Sequence, residues 1–266
     1  MANKEIERSN PLFMVKPHEL SHIKKIIGVV SGKGGVGKST ITALLAVTMN
    51  QLGYHSAIFD ADITGPSIPK MFGVTEKVVG NEHGIFPMLS ETGIDLISTN
   101  LILENENEPV LWRGPILASV IKQFWSEVMW GDVDYLFIDM PPGTGDIPLT
   151  VYQSIPLDGV IMITSPQQLV SMIVAKAVNM AEMMKVPVLG VIENMAYFIS
   201  PDTGKKYEIF GKSHVVEIVE EYHLPLLAQV PLNPEIANLA DQGKIETYEL
   251  DYFKDVANFL TKLLED

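Results

Sequence analysis

Nine consecutive residues, Gly32-Lys33-Gly34-Gly35-Val36-Gly37-Lys38-Ser39-Thr40, constrain this 266-residue chain more than any other stretch. They follow the apolar run KKIIGVVS and open the helical pattern ITALLAVTMNQLG, so a strand must enter a glycine-rich turn and leave it as a helix. From Gly32 to Ser39 the spacing fits G-x-x-x-x-G-K-[ST]. Such a loop wraps with its N–H groups facing inward, and the helix N-terminus behind it adds positive potential for the β- and γ-phosphates of a nucleotide. Lys38 is placed to neutralise phosphate charge and the Ser39 hydroxyl to coordinate Mg²⁺. Gly32, Lys33, Gly34, Gly35, Val36, Gly37 and Thr40 complete the expected nucleotide-binding set.

The strand before this loop is one of a series. KKIIGVVS (24–31), SAIFD (56–60), IDLIST (94–99), YLFIDM (135–140), GVIMITS (159–165), VPVLGVIE (186–193) and PLLAQV (225–230) are near-continuous apolar runs of strand length. Runs of that kind fit strands buried on both faces of a parallel sheet. Helical patterns near 38–52, 115–130, 167–184, 212–222 and 249–264 alternate with them, which predicts a doubly wound, mostly parallel α/β fold with ligands beyond the carboxyl ends of the strands. A small hairpin is expected within 78–88. Residues 1–22 read as an N-terminal arm and 23–266 as a single domain.

Three carboxylates fall at the strand ends that such a sheet places beside the loop. Asp60 closes SAIFD, Asp62 follows in DADITGPSIP, and Asp139 closes YLFIDM before PPGTGD. Asp139 after four apolar residues is a Walker B pattern that holds Mg²⁺. Asp60 is assigned to the outer shell of the metal and Asp62 to orienting the attacking water, although a strand-end Asp also serves as a turn or helix cap. Gly143 has a backbone N–H to offer the γ-phosphate, with PPGTGD as a loop that senses its loss. Phosphoryl transfer also needs a cation on the transferring group, and the chain holds two arginines, Arg8 and Arg113. Lys33, at the tip of the loop, is the candidate finger, and it reaches a nucleotide in a second subunit more easily than its own.

Composition narrows the classes further. Acids outnumber bases 33 to 19, for a net charge of -14, which argues against a broad nucleic-acid footprint or a polybasic membrane patch. The start MANKEIERSNPLFM lacks the apolar core of a secretory signal and no run is long enough to span a bilayer, so a cytoplasmic location is expected. The cysteine count is zero, which excludes disulfides, zinc knuckles and thiolate catalysis.

GKGGVGKST, FDADITGPS, LWRGP, DMPPGTGD, TSPQQLV, VIENMAYF and VPLNPEI, in this order, resemble the Mrp/ApbC family of iron-sulfur cluster carrier ATPases, in the deviant Walker A group with MinD, ParA and the nitrogenase iron protein. The resemblance runs from about residue 22 to 245. It implies an ATP-dependent homodimer bridged by nucleotide, with Lys33 acting across the interface, Asp62 on the water, and Ser39 and Asp139 around Mg²⁺. It also implies adenine recognition by Asn194 of ENM, with the VPLNP turn, including Pro231, near the base. Independently, no N-K-x-D guanine motif occurs. Family members bind a cluster between subunits through a C-P-x-C pair just after the ENM strand; here Ser200 and Thr203 stand at those positions. Hydroxyls are poor ligands for an iron-sulfur cluster, so no cluster ligands are assigned in this chain.

The resulting expectation is an Mg²⁺-dependent ATPase in iron-sulfur protein maturation, with an apoprotein or assembly factor as partner. Without the cysteines, the chain would act as a partner-dependent ATPase or hold metal cargo through the thiols of another protein. The alternatives are a nucleotide-gated scaffold and, third, a positioning ATPase of the MinD or ParA type. His18-Glu19-Leu20-Ser21-His22 matches H-E-x-x-H but is read as a polar helical turn, and Arg113 is left between a switch contact and surface stacking. The amphipathic C-terminal segment carries five acids against two lysines, so it is expected to pack on the body rather than on anionic lipid.

Overall fold

The computed structural model describes residues 13–63, 65, 67–101, 114–166, 170–249 and 251–265; Arg8 and Arg113 lie outside them. In chain order the elements are β1 (Ser21–Ser31), α1 (Lys38–Gln51), β2 (Ser56–Asp60), α2 (Ile68–Met71), β3 (Gly80–Asn81), β4 (Gly84–Ile85), β5 (Met88–Leu89) and β6 (Asp95–Ser98). They continue with α3 (Gly114–Glu127), β7 (Gly131–Asp139), α4 (Asp146–Ser154), β8 (Gly159–Thr164), α5 (Val170–Met183), β9 (Val188–Glu193), β10 (Phe198–Ile199) and β11 (Lys206–Tyr207). The chain closes with α6 (Val215–Glu221), β12 (Leu226–Gln229), α7 (Pro234–Asp241) and α8 (Lys254–Glu265).

Eight strands form one sheet in the order β12-β9-β8-β1-β7-β2-β6-β5, parallel throughout except for β5, which runs antiparallel to β6. The apolar runs behave as their composition dictates. β2 and β8 are buried at every residue, and β1 alternates at its exposed start before burying its last six residues under helices on both faces. One core, built around Phe59, Trp125, Trp130 and Leu136, fills the face covered by α3 to α6. The other, around Ile27, Leu44, Leu45 and Phe137, fills the face covered by α1 and α8. α1 is buried on nearly all sides because α8 and the segment before it close over its outer face, with the Tyr135 hydroxyl donating to the Leu260 carbonyl at 2.9 Å. Each such side chain contributes about 1.5–3 kcal/mol by leaving water. No helix among the described residues is long and apolar enough to cross a membrane.

The doubly wound, mostly parallel sheet is the architecture expected, with instructive departures. α2, α4 and α7 have no counterpart in the sequence reading: each is at most nine residues and carries Pro69, Pro148 or Pro234 in its first turn. Proline there is tolerated because the first N–H groups of a helix have no partner to lose, yet in a sequence it reads as a breaker. The stretch expected to be helical over 249–264 is a 3₁₀ turn, Asp251–Phe253, followed by α8. β1 begins at Ser21, inside the stretch read as an arm, and Val15 is tied to the body on both sides: its N–H donates to Ser154 and its carbonyl accepts from the Trp125 indole. The hairpin expected in 78–88 is present as β3 and β4, and β10 with β11 forms a second.

Candidate nucleotide and magnesium site

Sheet register sets the site. Asp139 lies opposite Val29 on β1 and opposite Asp60 on β2, and Asp60 in turn lies opposite Ser98 on β6, so β7, β2 and β6 finish level with one another. β1 runs two residues further, to Ser31, before the glycine loop leaves it. Gly35 and Gly37 adopt φ values of 80° and 77°, a region closed to most side chains, and at Gly37 an added Cβ would lie 2.2 Å from the Asn194 amide nitrogen. The loop turns back at Gly37, and α1 starts at Lys38 with no acidic residue in its first turn.

Four polar side chains converge beneath the loop. Lys38, buried to 6% exposure, places Nζ 2.6 Å from Oδ1 of the fully buried Asp139. Ser39 Oγ donates to Asp139 Oδ2 at 2.6 Å, and Thr42 Oγ1 donates to Oδ1 at 2.8 Å. A carboxylate at this depth is tolerable because a cation and two hydroxyls meet it. Ser39 and Asp139 thus present hard oxygen donors at one point, the donor set that Mg²⁺ takes alongside water and phosphate oxygens, so the residues fit that ion. Thr42 was missed by the motif, though it stands one helical turn after Lys38 and so shares its face.

Asp60 does different work. Its Oδ1 accepts from the Asp62 N–H at 3.1 Å, and Oδ2 accepts from Ser98 Oγ at 3.1 Å and the Ile68 N–H at 3.4 Å. Complete burial, reinforced by the neighbouring Asp139 charge and only partly offset by Lys38, pushes its pKa up to about 8. The carboxyl therefore fastens both ends of the segment that carries Asp62. Within that segment Thr64 and Pro66 lie outside the described residues.

The PPGTGD loop packs on the glycine loop, with Pro142 3.9 Å from the position of a Cβ on Gly34. The Gly143 N–H donates to the Ser31 carbonyl at 2.8 Å, so offering it to a phosphate requires exchanging that bond. Lys33 is half-buried, and its carbonyl accepts from Ser31 Oγ at 3.1 Å. Asn194, 7% exposed at the end of β9, donates Nδ2 to the Val36 carbonyl at 2.8 Å, which leaves its amide oxygen for a ligand. Pro231 is buried beside it: the Ala196 N–H donates to Val230 and the Leu232 N–H to Tyr197. Just beyond the VPLNP turn lies a polar cavity of about 340 Å³ lined by Asn233, Glu235, Thr247, Tyr248, Glu249 and Tyr252. The sequence reading did not reach these side chains because four of them come from the irregular stretch before α8.

Ser200 and Thr203 occupy the exposed turn between β10 and β11. The Gly204 N–H donates to the Ser200 carbonyl at 2.8 Å and Thr203 Oγ1 accepts from the Lys205 N–H at 3.3 Å, so that hydroxyl serves the turn itself. The H-E-x-x-H segment is not helical: a turn at 19–20 runs into β1. His18 Nδ1 accepts from the Leu20 N–H, which leaves Nε2 to donate to the His83 carbonyl at 2.8 Å. Among the described residues, no group of three or more His, Asp or Glu side chains is arranged to hold a metal.

Known proteins are similar to this chain over most of its length. An iron-sulfur cluster carrier protein of Clostridium perfringens is 46% identical over 235 residues, covering 85% of this chain and 82% of that protein. One of Methanocaldococcus jannaschii is 44% identical over 227 residues, covering 84% and 78%. Among solved structures, a nucleotide-binding protein of Archaeoglobus fulgidus in complex with ADP superposes with a TM-score of 0.79 at 41% identity, covering 87% of this chain and 91% of its own. The MinC:MinD cell division complex of Aquifex aeolicus, at 17% identity and a TM-score of 0.64 over 91% and 96%, shares the fold. With residues 22–265 matched by the family model, the chain belongs to the NUBPL iron-transfer P-loop NTPases.

Proposed function

We propose that this chain is an Mg²⁺-dependent ATPase that works as a nucleotide-bridged homodimer in iron-sulfur cluster assembly, in the cytoplasm, and that it handles cluster or iron through thiols supplied by a partner. The reading rests above all on the buried convergence of Lys38, Ser39 and Thr42 on Asp139 beneath the glycine loop. The loop N–H groups and the start of α1 bind the β- and γ-phosphates, and Lys38 turns from Asp139 to the phosphate oxygens. Ser39 and Asp139 hold Mg²⁺, with Asp60 behind them; the ion supplies neutralisation of charge on the β- and γ-oxygens. Asp62, fixed by Asp60, orients the attacking water. Lys33 of a second copy meets the charge that develops on the transferring group, Asn194 and the Pro231 turn hold adenine, and Gly143 exchanges its bond to Ser31 as the γ-phosphate comes and goes.

The partner-thiol element follows from the zero cysteine count and from the turn that holds Ser200 and Thr203, and the same facts support the scaffold reading as the alternative. Phosphate release from Mg-ATP, with and without an iron-sulfur apoprotein, separates the two: a scaffold shows no stimulation. Anaerobic reconstitution with iron and sulfide tests the missing ligands. The unmodified chain is expected to hold no stoichiometric cluster, and Ser200→Cys/Thr203→Cys is expected to gain one; cluster on the unmodified chain overturns the assignment.

A further inference from the structure

Glu193 closes β9 and Asn194 follows it into the turn, and the two side chains bond to different parts of the molecule. Asn194 is locked to the nucleotide loop: its amide donates to Val36, and Gly37 approaches so closely that no Cβ would fit between them. Glu193, 1% exposed, bonds elsewhere. Its Oε1 accepts from Ser213 Oγ at 2.5 Å and its Oε2 from Gln229 Nε2 at 2.7 Å, while its carbonyl accepts from the Val230 N–H at 2.8 Å. Burying a carboxyl among neutral donors is costly unless every oxygen is met, so this side chain has no slack. Ser213 is equally committed, since its Oγ also accepts from the Val215 N–H where α6 begins.

Between these anchors the chain projects. Residues 196–197 are clamped to the 230–232 turn by two backbone bonds, Ser213 is clamped to Glu193, and the β10–β11 hairpin extends from that base. Its segment carries Ile199, Tyr207, Ile209 and Phe210, each at least 40% exposed. Both roots of the projection therefore attach within a few residues of the side chain that grips the nucleotide loop.

We infer that Glu193 is a positioning residue that transmits the state of the nucleotide loop to the 198–212 projection, through the rigid pair Asn194 and Glu193 and the Ser213 hydroxyl. The inference rests on the nucleotide reading above and adds the regulated element. A ligand that draws Val36 and Gly37 around its phosphates must move or stiffen Asn194. One peptide unit away, Glu193 then carries the change to Ser213 and to both roots of the hairpin. Coupling of this kind is reciprocal, so constraint on the hairpin must also alter nucleotide affinity.

Hydrogen exchange of the hairpin amides, including Ser200 and Gly204, with and without Mg-ADP, tests it, alongside ADP affinity measured by calorimetry. In the unmodified chain, ADP is expected to slow exchange over 198–212 by about fivefold or more, the lower end of ordinary allosteric coupling. Glu193→Gln and Ser213→Ala are expected to abolish most of that slowing while retaining ADP affinity within about threefold. Ser213→Ala decides the matter alone if Glu193→Gln does not fold, because Ser213 touches nothing at the nucleotide loop. ADP that binds without slowing exchange in the unmodified chain, or variants that keep the full response, overturn the inference. Absence of ADP binding to the unmodified chain instead removes the nucleotide reading, and the inference with it.

Discussion

At the carboxyl end of the sheet, Asp60 and Asp139 face each other across β2 and β7 with the ammonium of Lys38 at one of them; at the amino end, Asp134 and Asp95 sit beside Lys24 and His55. Lys24 Nζ lies 2.7 Å from Asp134 Oδ1, and the His55 N–H donates to its Oδ2 at 2.8 Å. Burial works against the Asp134 charge, yet these donors outweigh it and hold the carboxyl below the usual range. The His55 ring bridges a carbonyl and a carboxylate: Nδ1 donates to Asp132 at 2.6 Å, and Nε2 stands 2.9 Å from Asp95. At the other end the balance is reversed, and burial plus a like charge raise Asp60 to about 8. A fold that needed only stability would neutralise both ends alike. Instead the carboxyl end sets two fully buried carboxyl groups in register on adjacent strands with one ammonium, and Asp60 carries the larger of the two upward shifts, a kind of perturbation that clusters at functional sites.

Breaking the carboxyl end should show this most. Asp139→Asn strands Lys38 as a buried cation without its counter-charge, and the expected loss is about 3–5 kcal/mol of stability together with Mg-dependent turnover. Denaturant midpoints and phosphate release measure both, and a variant of unchanged stability would mean that the ion pair is not the keystone described. Lys33→Ala should separate the two properties: turnover falls by roughly 10³-fold, as when a charge-stabilising finger is removed, while ATP binding and stability stay as they were. Asp62→Asn is expected to behave likewise. Unaltered turnover in either removes its catalytic assignment.

The carboxyl end was the more legible of the two in sequence, for a physical reason. Phosphate binding forces glycines, a lysine and a hydroxyl into fixed spacing, and strand-end carboxylates announce themselves after apolar runs, so Lys38, Ser39 and Asp139 could be named before any coordinates. What those side chains bond to could not be. Asp60 has the same sequence signature as Asp139, yet register gives it Ser98 and the backbone of its own loop as partners. Asn194 shows the same limit, since its grip on Val36 depends on β9 and the glycine loop ending at one level. Nothing marked the amino end, because Lys24, Asp95 and Asp134 come from three strands and His55 from the residue before a fourth, with no common spacing. The short helices α2, α4 and α7 escaped because their prolines look like breakers, although α7 announces itself once its cap is seen: Asn233 accepts from the Glu235 N–H at 2.9 Å.

Breaking the amino end should give smaller effects, all of them in stability. Burial outweighs the attraction of His55 and lifts Asp95 from 3.8 to about 6. The folded chain therefore binds that proton more tightly than the unfolded one. The associated stability is present in full below about pH 4 and is lost as the pH climbs to about 6. At about 1.4 kcal/mol per pH unit, the interval is worth roughly 3 kcal/mol. Asp95→Asn is expected to roughly halve the fall in denaturant midpoint between pH 4 and 6, leaving the decline that Asp60, raised in the same direction, causes from about pH 4 to about pH 8. A variant whose stability keeps the parent slope across pH 4 to 6 would place the titration elsewhere. Lys24→Ala should change least, because its ammonium is exposed and its pairing with Asp134 is screened by salt. A small loss that vanishes in high salt, with turnover untouched, would complete the contrast: changes at the amino end reach stability alone, and changes at the carboxyl end reach turnover as well.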